Sequence, residues 1–362
     1  MNGRIKSFDG LRGVAILLVI LGHGLGAYAA GWHGIVPAIL GNSSLGVRLF
    51  FVLSGYLITS LLVSENERNG CISLRRFYAR RSLRIFPAFY LFLAAVWLLA
   101  SFGYVEVARQ QYLAAATYTW NYVAVWYPRG PVEGSWFLGH LWTLSLEEQF
   151  YLFWPILIVS FGWRAARWTC TLLPLVLPVV RVVSYYAFPE HRGYLGMMFH
   201  TAIDSILVGC AFALWRDKLP DILSSNRSVL CICCCFVFLV SPTLAESIRP
   251  YRVTIGFGLD AFAVGILTIH ARRDFSFSSV LSWAPLTFIG RLSYSLYLWQ
   301  QLFLTDHNSH WTGTPPWSFV CTFLAAIGSH FLVERPFLEL KTRFTTVESS
   351  EHPSTRFSCA GS

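Results

Sequence analysis

Apolar runs of about twenty residues recur along this chain, and ten can be marked off, near 11–30, 45–63, 86–103, 139–161, 168–188, 195–215, 228–244, 254–270, 285–304 and 317–333. About 20 residues of helix cross roughly 30 Å of hydrocarbon, and a segment in lipid has to satisfy its own backbone hydrogen bonds. The runs therefore predict an all-α polytopic membrane protein, a bundle of about ten transmembrane helices. The fifth and seventh runs are the weakest, because prolines or short flanks interrupt them. Composition agrees: 55% of the 362 residues are hydrophobic and only 13% charged, and the mean hydropathy is +0.51, far from a soluble chain. No small-residue cleavage site follows the first run, so it is expected to stay as a membrane anchor.

Lysine and arginine are retained on the cytoplasmic side of a membrane, which orients the bundle. With the N-terminus inside, the basic residues of 64–84, of 164–167, of 216–227, of 272–273 and of 335–343 all fall inside, together with Arg4 and Lys6. Outside lie only Arg109, Arg129, Arg192, Arg249 and Arg252. Both termini are thus predicted to be cytoplasmic. The net charge of +9 is a topology signal spread over several loops, which argues against a nucleic-acid partner and for membrane lipids. Four of the nine cysteines, Cys231, Cys233, Cys234 and Cys235, share one run without a histidine or carboxylate, so packing is expected there and no metal site. The serine-rich residues 344–362 read as a short disordered tail.

Two polar residues interrupt the first run. Arg12 and His23 are eleven positions apart, and eleven steps of about 100° return to within about 20° of the start, so both occupy one helix face separated by about 16 Å of rise. That is roughly the reach of an extended pantetheine arm. A cation at the membrane mouth with an imidazole deeper in can hold a charged head and meet its reactive end, while a snorkelling arginine and a core histidine account for the pair equally.

Further patterns follow along the chain. Gly46-Val-Arg-Leu-Phe50-Phe51-Val-Leu-Ser54-Gly55 places a hydroxyl among aromatic rings and small residues that let helices approach closely. In Arg75-Arg76-Phe-Tyr-Ala-Arg80-Arg81-Ser-Leu-Arg84-Ile-Phe-Pro87, three arginines recur at helical spacing before the third run. Their forked donors suit phosphate oxygens, although positive-inside retention explains a basic loop as well. His140-Leu-Trp142-Thr-Leu-Ser145-Leu-Glu147-Glu148-Gln149-Phe-Tyr151 buries two adjacent carboxylates in a crossing segment, at about 2.5 to 3.5 kcal/mol for an acid at helix centre on insertion scales. Glu147 is expected at the depth of His23, where it can accept a hydrogen bond from one ring nitrogen and leave the other free as a base. Pairing of these acids with Arg48, Arg181 or Arg291 is the competing explanation. Between Tyr104 and Trp136 lie Tyr118, Trp120, Tyr122, Trp126 and Tyr127, rings that can stack on sugar faces or form an interfacial belt.

From Phe8 to Phe337 the chain resembles the acyltransferase 3 family of multipass membrane O-acyltransferases. The carriers are Arg12 and His23, Phe50 to Gly55, Arg81-x-x-Arg84-x-x-Pro87, His140 to Tyr151, Ala202-Ile-Asp204-Ser-Ile-Leu-Val-Gly209, Ser293-Tyr-Ser-Leu-Tyr297 and Glu334-Arg-Pro336. One departure stands out: Trp299-Gln300 replaces the Trp-His of many relatives, so no base is assigned there. The resemblance implies one acyltransferase domain over 1–343 in a bacterial inner membrane. It also implies transfer of an acyl group, most often acetyl, from cytoplasmic acyl-CoA to a hydroxyl of a saccharide acceptor, with no permanently bound cofactor. On this reading Arg12, Arg80, Arg81 and Arg84 hold the coenzyme A phosphates, and His23 is the general base or carries an acyl-imidazole. Glu147 would orient His23, with Ser54, Tyr151 and Glu148 in positioning roles. The rival is a proton-coupled secondary transporter using midplane His23 and Glu147, although no inverted halves are visible.

Overall fold

A computed structural model describes residues 5–28, 39–126 and 136–343, so Arg4, Tyr127, Arg129 and the 344–362 tail lie outside the described residues. The long helices are α1 (Lys6–Tyr28), α2 (Ser43–Asn69), α3 (Leu74–Ser101), α4 (Leu141–Ala187), α5 (Asp204–Leu214), α6 (Arg227–Ser247), α7 (Phe257–Arg273), α8 (Ala284–Phe303) and α9 (Trp317–Ser329). No strand occurs among the described residues. Each of the ten predicted stretches contains helix among the described residues, and seven helical segments there are long and apolar enough to cross a membrane. The protein is an all-α polytopic membrane protein. Large apolar side chains such as Trp97, Phe161, Leu175 and Leu332 face outward around the bundle, as lipid contact requires.

Local chemistry sets the helix ends. The Asn42 side chain accepts from the Leu45 amide to start α2, and Gly70 closes it at φ +71°, where its own amide reaches the Asn66 carbonyl. Ser73 then caps α3 at once. The fourth and fifth stretches form one helical run that changes direction at Gly162, whose φ of +77° and ψ of 172° are open to glycine alone. The sixth is shorter than expected. It is broken at Ile203 into Phe199–Ala202 and the eleven-residue α5, which at about 1.5 Å per residue is too short to cross unaided. α5 is instead buried almost throughout among α2, α4 and α7.

Two glycine contacts bring these helices together. A Cβ on Gly55 of α2 would lie 1.9 Å from the Ile206 carbonyl, and one on Gly209 of α5 would lie 2.1 Å from the Val52 carbonyl, so backbone meets backbone. α1 and α8 meet the same way, with a Cβ on Gly290 only 1.7 Å from the Asp9 carbonyl. Two buried ion pairs close the other side of the bundle: Arg181–Asp204 at 2.8 Å and Arg48–Asp260 at 2.9 Å. The Arg181 guanidinium also donates to the carbonyls of Thr201, Val253 and Thr254. The last two belong to the widened turn Arg252–Gly256, where carbonyls lose their regular helical partners. Arg48 and Arg181 face the Phe257 ring at 4.9 and 5.1 Å.

Candidate active site

Five helices converge on a cavity at the end of the bundle that carries the N-terminus and the basic 64–84 segment. The empty space it offers, open solvent at the mouth included, is about 750 Å³. α1 contributes Arg12, α2 Ser54, α3 Arg81 and Arg84, α4 Glu147, and α8 Tyr294 and Tyr297. Arg81 and Arg84 are three apart and share a helix face. Arg80, one residue aside, is turned about 100° away. Its Nη2 lies 2.6 Å from Glu65 Oε2, while Glu65 Oε1 accepts the Ser73 amide. Arg80 thus ties the corner between α2 and α3, and it is not on the cavity lining.

Arg81 organises the polar centre. Its guanidinium lies 3.5 Å from the Tyr151 ring centroid, and Nε is 3.7 Å from Glu148 Oε1. The Tyr151 and Ser54 hydroxyls are hydrogen-bonded to each other. The sequence left Arg48, Arg181 and Arg291 open as partners for the two acids. Asp260 and Asp204 take the first two, and Arg291 faces the Phe288 ring. Tyr294 donates to the Ile85 carbonyl and pins α8 to α3 across the cavity. Tyr297 donates to the His140 carbonyl, and its hydroxyl is 2.6 Å from Thr143 Oγ1.

His23 lies one turn beyond this lining. Its Nδ1 is 2.7 Å from Gln300 Oε1, three residues past Tyr297 on α8. The expected contact between Glu147 and His23 is therefore corrected. α1 packs against α8 through Gly290, so α8 supplies the partner, while Glu147 sits two turns past His140 on α4 and faces the cavity with Ser54. The Trp136 ring is 6.1 Å from the His23 ring, edge to face, and His307 lies against Trp136 at 5.8 Å. Arginines and carboxylates thus occupy one end of α1's polar face and an imidazole the other. A long ligand with an anionic head can span them.

Gln149 has a role that its place in the sequence motif does not disclose. Its amide donates to the Tyr118 carbonyl at 2.8 Å and exchanges two hydrogen bonds with the Asn121 amide. This holds Tyr118 at φ +54°, unusual for a residue with a Cβ, with its ring stacked on Phe89 at 4.4 Å. Of the loop's other rings, Trp120 is buried and Trp126 is exposed, stacked on Tyr122 and through it on His200.

Comparison with known proteins places the site in context. A sequence model of the family described as acyltransferase domain matches residues 5–335. O-acetyltransferase OatA of Staphylococcus aureus is 33% identical over 329 residues, which cover 85% of this chain and 52% of that protein. Peptidoglycan O-acetyltransferase OatA of Listeria monocytogenes is 28% identical over 341 residues, covering 83% and 49%. The putative peptidoglycan O-acetyltransferase YrhL of Bacillus subtilis is 30% identical over 321 residues, covering 82% and 48%. The chain spans about half the length of the curated relatives it matches. No solved structure matches it.

Proposed function

The chain belongs to the acyltransferase domain family, and from that premise we propose that it is a bacterial inner-membrane O-acetyltransferase. It moves an acetyl group from acyl-CoA to a hydroxyl of a cell-envelope saccharide. The basic end of the bundle faces the cytoplasm, where acyl-CoA is made. Arg12, Arg81 and Arg84 hold the phosphates, and the pantetheine arm runs up the cavity past Ser54 and Tyr297 toward His23. The names of the relatives favour a peptidoglycan-like glycan, which meets His23 from the side of Trp136 and His307.

The chemistry follows from the imidazole. The acceptor hydroxyl gives its proton to His23 as its oxygen attacks the thioester carbonyl. The carbon–sulfur bond then breaks, and the thiolate leaving group takes that proton back as coenzyme A departs. Glu147 and Glu148 balance the charge of Arg81, while Tyr151 and Ser54 position the arm.

The observation that carries this reading is a single cavity that gathers Arg12, Arg81 and Arg84 at one end of the helix bearing His23. Purified protein in detergent is expected to resist thermal unfolding when acetyl-CoA is added. A charge-assisted hydrogen bond contributes about 1.5 to 3 kcal/mol, so Arg84→Ala should weaken the apparent Kd by about 10- to 150-fold. A wild-type protein whose melting ignores acetyl-CoA would overturn the proposal.

A further inference from the structure

His23 stands at the end of a run of side-chain amides. His23 Nδ1 lies 2.7 Å from Gln300 Oε1. Gln300 Nε2 donates to Gln301 Oε1 at 3.0 Å, and Gln301 Nε2 donates to the main-chain carbonyl of Trp136 at 3.1 Å. Both glutamines are buried, at 0% and 2% exposure.

The direction of this run is set at its far end. A main-chain carbonyl can only accept, so Gln301 must turn its NH2 toward Trp136 and its oxygen toward Gln300. Gln300 in turn must offer its NH2 to Gln301 and its oxygen to His23. An oxygen facing Nδ1 requires a proton there. We infer that Gln300 and Gln301 are positioning residues, anchored on the Trp136 carbonyl, that lock His23 in the tautomer with its proton on Nδ1 and its lone pair on Nε2.

This inference rests on the reading of His23 as the base and assigns its reactive atom. Neutral imidazole has one basic nitrogen, and which one it is depends on what the other nitrogen bonds. A carboxylate commonly does this in hydrolytic triads. Here two neutral amides do it without placing a further charge in the membrane, where one is costly. Trp136 also begins the short helix leading into α4 and packs beside the His23 ring, so the residue that borders the imidazole also fixes its proton.

The test reads the proton directly. Protein carrying nitrogen-15 histidine is placed in lipid nanodiscs, and the His23 resonances are identified by their loss in His23→Gln. The wild type is expected to show a protonated Nδ1 and an unprotonated Nε2. Gln301→Leu frees Gln300 to present either end, so both tautomers should appear, with kcat lowered by about tenfold, inside the roughly 10²- to 10⁴-fold that a positioned base supplies. The KM for acetyl-CoA should stay unchanged. In Gln301→Glu the protonated carboxyl can donate to the Trp136 carbonyl and turn its other oxygen to Gln300, so the single tautomer and a kcat near that of the wild type should return. A loss of packing alone would not separate Leu from Glu in this way. A proton on Nε2 in the wild type overturns the inference, even if Gln301→Leu fails to fold, and so does a Gln301→Leu spectrum like that of the wild type. His23→Ala with undiminished transfer would instead overturn the base reading and leave the tautomer assignment standing.

Discussion

Replacing Gly55 by alanine should damage the site through a contact that involves no reacting group. The added Cβ would lie 1.9 Å from the Ile206 carbonyl oxygen and 2.9 Å from its carbon, both main-chain atoms that no rotamer change can move. Reaching the 3.4 Å of an ordinary contact requires α2 and α5 to separate locally by about 1.5 Å. Overpacking of this kind typically costs about 1 to 3 kcal/mol, against which alanine returns up to about 1 kcal/mol of helix propensity. Function should suffer more, because Ser54 is the neighbouring residue and moves with α2 relative to Tyr151. A misplacement of about 1 Å at a reacting centre can reduce the rate by about 10²-fold. Transfer of radiolabelled acetyl from acetyl-CoA to a soluble saccharide, measured beside thermal unfolding in detergent, checks both effects. Gly328→Ala is the control, since nothing lies within 4 Å of a Cβ there. Wild-type activity and melting in Gly55→Ala would refute the close-approach argument.

Gln149→Leu removes the strap on the Tyr118 segment and leaves the buried Asn121 amide unpaired. This should lower stability by about 1 to 3 kcal/mol, with faster hydrogen exchange confined to residues 117–122 as the diagnostic. Asp204→Asn leaves the fully buried Arg181 without its carboxylate and should cost about 3 to 5 kcal/mol, read as a large fall in melting temperature. Arg81→Ala leaves Glu148 without the guanidinium beside it. It should therefore lower the melting temperature of the ligand-free protein, which thermal unfolding without acetyl-CoA would detect.

Helices were legible because their signal is local, apolar runs of membrane length, whereas the caps at Asn42 and Ser73 and the breaks at Gly70 and Gly162 emerged only from the backbone. Nor was the shortness of α5 legible. Beyond Asp204 and Ser205 its residues are apolar, and sequence alone does not distinguish a crossing helix from one walled in by α2, α4 and α7. Spacing along one helix matched the cavity for Arg81 and Arg84, which line it together. It failed for Arg80, because the choice between the cavity and Glu65 depends on how α3 is rotated about its axis, which packing decides. The partner of His23 escaped for a different reason. Gln300 is 277 positions away in sequence, and its amide carries no charge to mark it. Gln149, Tyr294 and Tyr297 were visible as parts of motifs, but what they hold was settled by tertiary contacts.

On the proposed function, transfer depends on His23, one helical turn beyond the lining of the cavity, taking the proton of the acceptor. Wild type and His23→Ala, reconstituted in nanodiscs, can be given radiolabelled acetyl-CoA and a soluble saccharide acceptor, with donor binding measured on the same samples. Both proteins are expected to bind the donor equally, while His23→Ala loses about 10²-fold or more of the label transferred to saccharide. Equal transfer by the two proteins would contradict the account.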